Sequence, residues 1–218
     1  MYRIVSIDEE KESLPGYSPE KADDFHIESA KSANKKFDQE LKKIKNKKVI
    51  LMCGGSASGK TEFIEKFCPT IKIDENDDLE GIVFDSTLAT ENGAETKIRN
   101  IKKSGNIPIV CLILPISLRD SFSAFCKRDR KIPESKFYET HSGARKVALF
   151  LAQKYLDVEM LVYVNSYDRG NLEENELSFA RVDFEDSAEN NAKEELINFL
   201  QQNQFSEEEI LQLVIENK

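Results

Sequence analysis

The sequence predicts an α/β domain, a three-layer sandwich in which a mostly parallel sheet carries helices on both faces. Two observations carry that reading. Apolar runs at residues 49–53, 81–84, 108–114 and 160–164 are uninterrupted, and segments of helical periodicity lie between them. Strands covered on both faces by crossover helices read as such runs, whereas a half-solvated strand alternates. The run at 49–53 also leads straight into Gly54-Gly55-Ser56-Ala57-Ser58-Gly59-Lys60-Thr61, a G-x-x-x-x-G-K-[ST] match. A strand, a glycine-rich turn and a helix start thus follow one another in the order a phosphate-binding loop requires.

Up to Glu20, Pro15-Gly16 and Pro19 stand among charges, and the segment is expected to be an extended arm. Asp23-Asp24 precede a helix expected to run to about Lys45, with its apolar stripe at Ile27, Ala30, Ala33, Phe37, Leu41 and Ile44. Lysines crowd the rest of that helix, which suits either a solvated basic face or contact with an anionic partner. After the glycine-rich turn, Phe63, Ile64 and Phe67 form one helix face, and Pro69 stops it. A short strand at 70–73 should end in Asp74, with Glu75, Asp77 and Asp78 close behind, and the run at 81–84 ends in Asp85-Ser86-Thr87. Ala94, Ile98 and Ile101 mark a helix closed by Gly105, ahead of the strongest strand at 108–114.

Phe122, Phe125 and Cys126 define the next helix face, and the basic run Lys127-Arg128-Asp129-Arg130-Lys131 follows it. Pro133 opens a long helix with a stripe through Ala144, Ala148, Leu151 and Tyr155. Beyond the strand at 160–164, residues 177–184 alternate imperfectly and suit an edge strand. Ala192, Leu196, Phe199 and Leu200 mark a helix, and Ser206-x-x-Glu209 is a capping-box signature for the last one. The chain divides into an N-terminal arm and basic helix (1–46), a core (47–187) and C-terminal helices (188–218).

At 218 residues the chain is long enough to bury a core as one domain. A net charge of −9 argues against a general nucleic-acid binder, because phosphate-backbone affinity comes from clustered Lys and Arg. Cys53, Cys68, Cys111 and Cys126 show no C-x-x-C spacing, so reduced structural thiols are expected. With only His26 and His141 besides, no zinc site is expected. No apolar segment approaches the length needed to span a bilayer, and the first residues lack the layout of a signal peptide, so a cytoplasmic location is expected.

The chemistry follows from the loop. Gly55, Ser56, Ala57, Ser58 and Gly59 can turn successive backbone N–H groups around phosphate oxygens, Lys60 can reach the β- and γ-phosphates, and the Thr61 hydroxyl can ligate Mg²⁺. The helix starting there adds its positive end to the same anion site. ATP and Mg²⁺ are the expected ligands. Ligands of an open parallel sheet gather outside the carboxyl ends of the strands, so Asp74 and Asp85 should share the rim with the loop. Phosphoryl transfer to a hydroxyl needs a carboxylate to receive the proton and cations to meet the transferred charge. Asp74 is the first choice as base; Asp85 reads as a Mg²⁺ ligand or as an acceptor for substrate hydroxyls. Arg128 and Arg130, in a charged connection between two helices, suit a lid that closes over phosphates. Arg145 is expected to be exposed, and His141 to be a packing or capping residue.

Taken in order, the glycine-rich loop, Ile73-Asp74, Phe84-Asp85-Ser86-Thr87, Arg130-Lys131-Ile132-Pro133 and His141 resemble the zeta toxin family over about residues 47–155. The resemblance implies a P-loop kinase-like three-layer sandwich. It also implies an ATP- and Mg²⁺-dependent kinase that phosphorylates a sugar hydroxyl of UDP-N-acetylglucosamine, and an antitoxin protein as partner. By the same resemblance Asp74 is the general base, Lys60 and Thr61 hold nucleotide and metal, Asp85 and Thr87 touch the acceptor, and Arg130 is a lid arginine. The chain departs from the family in having Asp85 where Glu is usual and Ala89 where an Arg is usual. A kinase for a nucleoside, an antibiotic or a polynucleotide end, and a nucleotide-binding regulator without turnover, are the alternatives.

Overall fold

The computed structural model describes residues 1–68, 79–167, 177–185 and 191–215. Pro69, the strand expected at 70–73, and Asp74, Asp77 and Asp78 lie outside the described residues. The order of elements is β1 (Tyr2–Ser6), α1 (Ile7–Glu12), α2 (His26–Leu41), β2 (Lys48–Cys53), α3 (Lys60–Phe67), β3 (Gly81–Asp85), α4 (Glu91–Lys103) and β4 (Ile107–Pro115). There follow α5 (Leu118–Cys126), α6 (Ser135–Lys154), β5 (Glu159–Tyr167), β6 (Leu177–Val182), α7 (Ala192–Gln202) and α8 (Glu207–Ile215).

These strands make one six-stranded sheet in the order β1-β3-β2-β4-β5-β6. All neighbours are parallel except β6, which runs antiparallel to β5 at the edge. Because side chains alternate across a pleated strand, each apolar run supplies both faces at once. Val49, Leu51 and Cys53 of β2, Ile82 and Phe84 of β3, and Val110, Leu112 and Leu114 of β4 face the larger core cluster. There they meet Phe37 of α2, Ile98 of α4, Leu151 of α6 and Leu200 of α7. Met52, Val83, Cys111 and Ile113 point the other way, onto Phe63 and Ile64 of α3. The uninterrupted apolar runs are thereby explained, since both faces of the sheet are covered.

The extended arm expected before Glu20 is instead the edge strand β1 followed by α1. Val5 of that strand is fully buried in the main core, and Arg3 is ion-paired with Glu40 of α2. The helix expected after Asp23-Asp24 begins at His26, but Ile27, placed on its apolar stripe, is 70% exposed. The capping box holds: Ser206 N–H donates to Glu209 Oε2 at 2.7 Å, and Glu209 N–H donates to Ser206 Oγ at 3.2 Å. Cys53, Cys68 and Cys111 are buried free thiols and Cys126 is exposed; burial pushes the Cys53 thiol up to about 12. No helix among the described residues is long and apolar enough to cross a membrane.

Candidate active site

The loop between β2 and α3 turns sharply because its glycines permit it. Gly59 has φ +84°, the left-handed region, and a Cβ there would lie 2.6 Å from Asn165 Nδ2. A Cβ on Gly55 would fall 2.2 Å from the His141 ring, so the loop backbone rests directly on that imidazole. The carbonyls of the loop are engaged one after another. Lys60 Nζ donates to the oxygens of Gly54 at 2.9 Å and Gly55 at 2.8 Å. His141 Nε2 meets the oxygen of Ser56 at 2.9 Å, Ser121 Oγ donates to that of Ala57 at 2.7 Å, and Asn165 Nδ2 donates to that of Ser58.

Several of its N–H groups are engaged too: Gly54 N–H donates to Thr87 O at 3.2 Å, Ser56 N–H to Thr140 Oγ1 at 3.0 Å and Ser58 N–H to Gly55 O at 3.2 Å. At the start of α3 the amides of Lys60 and Thr61 have no carbonyl behind them, as at any helix N-terminus. A helix end of this kind favours negative charge in front of it. Four elements, α5, α6, β5 and α3 itself, hold the loop in shape.

His141 is fully buried. Since a carbonyl can only accept, Nε2 must carry the proton, which leaves Nδ1 to accept from Arg145 Nη1 at 3.3 Å. Burial, and after it the Arg145 charge, hold the imidazole well below its ordinary range, so the ring is neutral. The packing role expected for His141 is therefore a specific one, that of a floor under the glycine-rich loop. Arg145 differs from expectation: it is 3% exposed and does not line the cleft. Its guanidinium lies over Phe205 at 5.5 Å, because the C-terminal helices cover this part of α6.

A cleft opens in front of the loop. Ser56 to Glu62, Asp85, Ser86, Thr87, Arg128 and Arg130 line it, together with Ile7, Asp8, Lys11, Asp23 and His26 from the N-terminal segment and Lys136 and Thr140 from α6. The structure thus brings together Ser56, Ala57, Ser58, Gly59, Lys60, Thr61, Asp85, Thr87, Arg128 and Arg130 as the sequence placed them. Thr87 also anchors the loop, its carbonyl accepting from Gly54 N–H at 3.2 Å.

Three charged groups set the electrostatics. Burial pushes the Asp85 carboxyl up, against the pull of Lys60, and Ser6 Oγ donates to it at 3.4 Å. Burial pushes Lys60 down, against the pull of Asp85. Asp8 behaves otherwise. Burial works to raise its carboxyl, but the Arg130 guanidinium at 2.6 Å, with Lys11 and Arg128 behind it, holds it below its ordinary value.

Asp8 and Lys11 are absent from the sites expected from sequence. A signal for them existed, since the β-branched pair Ile4-Val5 runs through Ser6-Ile7 into Asp8, the same strand-then-acid pattern that drew attention to Asp74 and Asp85. No known family model matches this chain, and no curated protein matches it.

Proposed function

We propose that the protein is an ATP- and Mg²⁺-dependent phosphotransferase that moves the γ-phosphoryl group to a hydroxyl of a small molecule, in the manner of a zeta toxin. The observation that carries this reading is the arrangement of charge around the loop. The glycine-rich loop, with Lys60 and the start of α3, lines a cleft that also holds the carboxylates Asp8, Asp23, Glu62 and Asp85 and the arginines Arg128 and Arg130. A phosphate site alone needs no carboxylate beside it; phosphoryl transfer to a hydroxyl does.

In this reaction the acceptor oxygen attacks the γ-phosphorus in line, and the bond to the β–γ bridging oxygen breaks to release ADP. The loop amides and Lys60 meet charge on the β- and γ-oxygens, and Arg130 reaches the transferred group from the segment between α5 and α6. Mg²⁺, when bound, draws charge from the phosphate oxygens. The Thr61 hydroxyl, with Asp85 beside it in the cleft, is the oxygen donor set that would hold it, and such a set suits an ion that keeps most of its ligands as phosphate and water. Thr87 lines the same cleft and would meet the acceptor, and UDP-N-acetylglucosamine is the first acceptor to try. An antitoxin protein covering the cleft and a cytoplasmic location belong to the same reading.

Titration of Mg-ATP into the protein in a calorimeter, followed by ADP release assays over sugar nucleotides, nucleosides and aminoglycosides, tests it. Lys60→Met should weaken Mg-ATP binding at least tenfold without lowering the melting temperature by more than a few degrees. Absence of heat with both ATP and GTP would overturn the reading.

A further inference from the structure

Strand β1 lies outside β3 and parallel to it, with Ser6 in register with Asp85. The chain therefore leaves the sheet at the rim that carries the phosphate loop, and it turns at once into α1, where Ser6 Oγ accepts from Asp8 N–H at 3.2 Å. That turn puts Asp8 in the cleft. A second hollow adjoins the first along the edge of β1, and the residues common to both are Asp8, Thr61, Asp85 and Arg130. Thr61 and Arg130 mark the phosphoryl side of this junction.

Of the two carboxylates there, Asp85 accepts from the Ser6 hydroxyl and is taken up, with Thr61, as the metal-holding pair, whereas Asp8 is held by the Arg130 guanidinium at 2.6 Å. A carboxylate whose partner is itself a phosphate-seeking guanidinium regains basicity when that partner moves to phosphate. Once Arg130 turns to a γ-phosphate, the Asp8 oxygens are released toward the acceptor. The lid and the N-terminal segment are already joined at a second point, Lys131 N–H donating to Pro19 O at 2.8 Å.

We infer that Asp8 is the general base, and that the N-terminal segment carrying it, with Lys11 and His26 on the same wall, is the half of the cleft against which the acceptor binds. The inference rests on the phosphotransferase reading above. The acceptor O–H proton passes to an Asp8 carboxylate oxygen as the acceptor lone pair forms the new bond to phosphorus, and the electron pair of the breaking P–O bond leaves on ADP. The N-terminal segment then takes part in the chemistry, and Asp8 takes the role that the family likeness gives to Asp74.

The full-length protein and its Asp8→Asn, Asp8→Glu and Asp74→Asn variants are compared by calorimetry with Mg-ATP and by ADP release, with the acceptor found in the panel or, failing one, with water. Asp8→Asn should lower kcat at least 100-fold with KM for ATP within about threefold, and Asp8→Glu should restore part of the loss. Asp8→Asn should also bind Mg-ATP at least as tightly as the parent, because a negative charge facing the terminal phosphate has gone. Weaker Mg-ATP binding by Asp8→Asn would make Asp8 a metal ligand and overturn the inference. Full turnover by Asp8→Asn, or collapse of turnover in Asp74→Asn alone, would overturn it too. Failure of the parent protein itself to bind Mg-ATP would instead remove the phosphotransferase reading beneath it.

Discussion

His141 is one side chain with two consequences, one for geometry and one for pH. Its ring occupies the space that a side chain on Gly55 would need, and its proton sits on Nε2 to serve the Ser56 carbonyl. Protonating Nδ1 as well would place a buried charge beside the Arg145 guanidinium. The folded state therefore keeps His141 neutral well below the pH near 6.5 at which the unfolded chain takes up the proton. Above about pH 6.5 both states are neutral there, and the residue adds no pH dependence. Below it only the unfolded state binds the proton, so stability falls with falling pH, by at most about 1.4 kcal/mol per pH unit, until the folded-state value is reached. Asp85, whose carboxyl is raised, acts in the opposite sense, its contribution being lost as pH rises through its folded-state value. The difference between the parent and His141→Gln isolates the histidine. Urea unfolding between pH 5 and 8 should show the two curves converging in slope above about pH 6.5 and the parent falling more steeply below it.

The residue scale is also where sequence reading fell short, for a physical reason. Arg145 sits one position past Ala144 on a stripe that predicts an exposed side chain, and only the docking of α7 and α8 on α6 covers it. Helical periodicity reports one buried face; a second buried face made by distant elements leaves no trace in local spacing.

At the scale of elements, uninterrupted apolar runs gave β2, β3, β4 and β5 close to their observed limits, because each run fills both faces of a covered sheet. Strand β1 escaped the same reasoning. Tyr2, Arg3, Ile4, Val5 and Ser6 mix polar and apolar residues as an edge strand does, and the proline and glycine further on drew the whole segment into an arm. Its energetic weight is nevertheless that of a core element. Val5 is fully buried among Phe37, Phe84 and their neighbours, and the polar residue beside it, Arg3, is tied to Glu40. Truncating Val5 to Ala removes two methyl groups from a close-packed interior and should cost about 2 kcal/mol, read as a shift in the urea midpoint with unchanged m-value. A solvated arm would show no change. The variant therefore separates the two descriptions of the N-terminus.

For the whole molecule, what matters is which strand ends meet at one rim, and strand order cannot be read along the chain. Residues 2–8 and 81–85 are far apart in sequence, yet parallel pairing with Ser6 opposite Asp85 sets both chain exits beside the phosphate loop. The loop in turn is gripped from α5, α6 and β5, and the arginine segment reaches across to Asp8 and Pro19. A ligand bound on the loop should therefore be felt in segments that do not touch it through local chain connection. At 100 times its dissociation constant, Mg-ATP should stabilise the folded state by about 2.7 kcal/mol, a rise of about 5–11 °C in melting temperature for a domain of this size. Hydrogen exchange would locate that stabilisation. If the cleft is closed by the N-terminal segment as well as by the arginine segment, exchange should slow in residues 54–63, 127–131 and 7–12 together, while α8 exchanges as before. Slowing confined to 54–63 would mean that the ligand engages the loop alone, and that the contacts of Asp8 with Arg130 are a surface ion pair rather than one wall of the cleft.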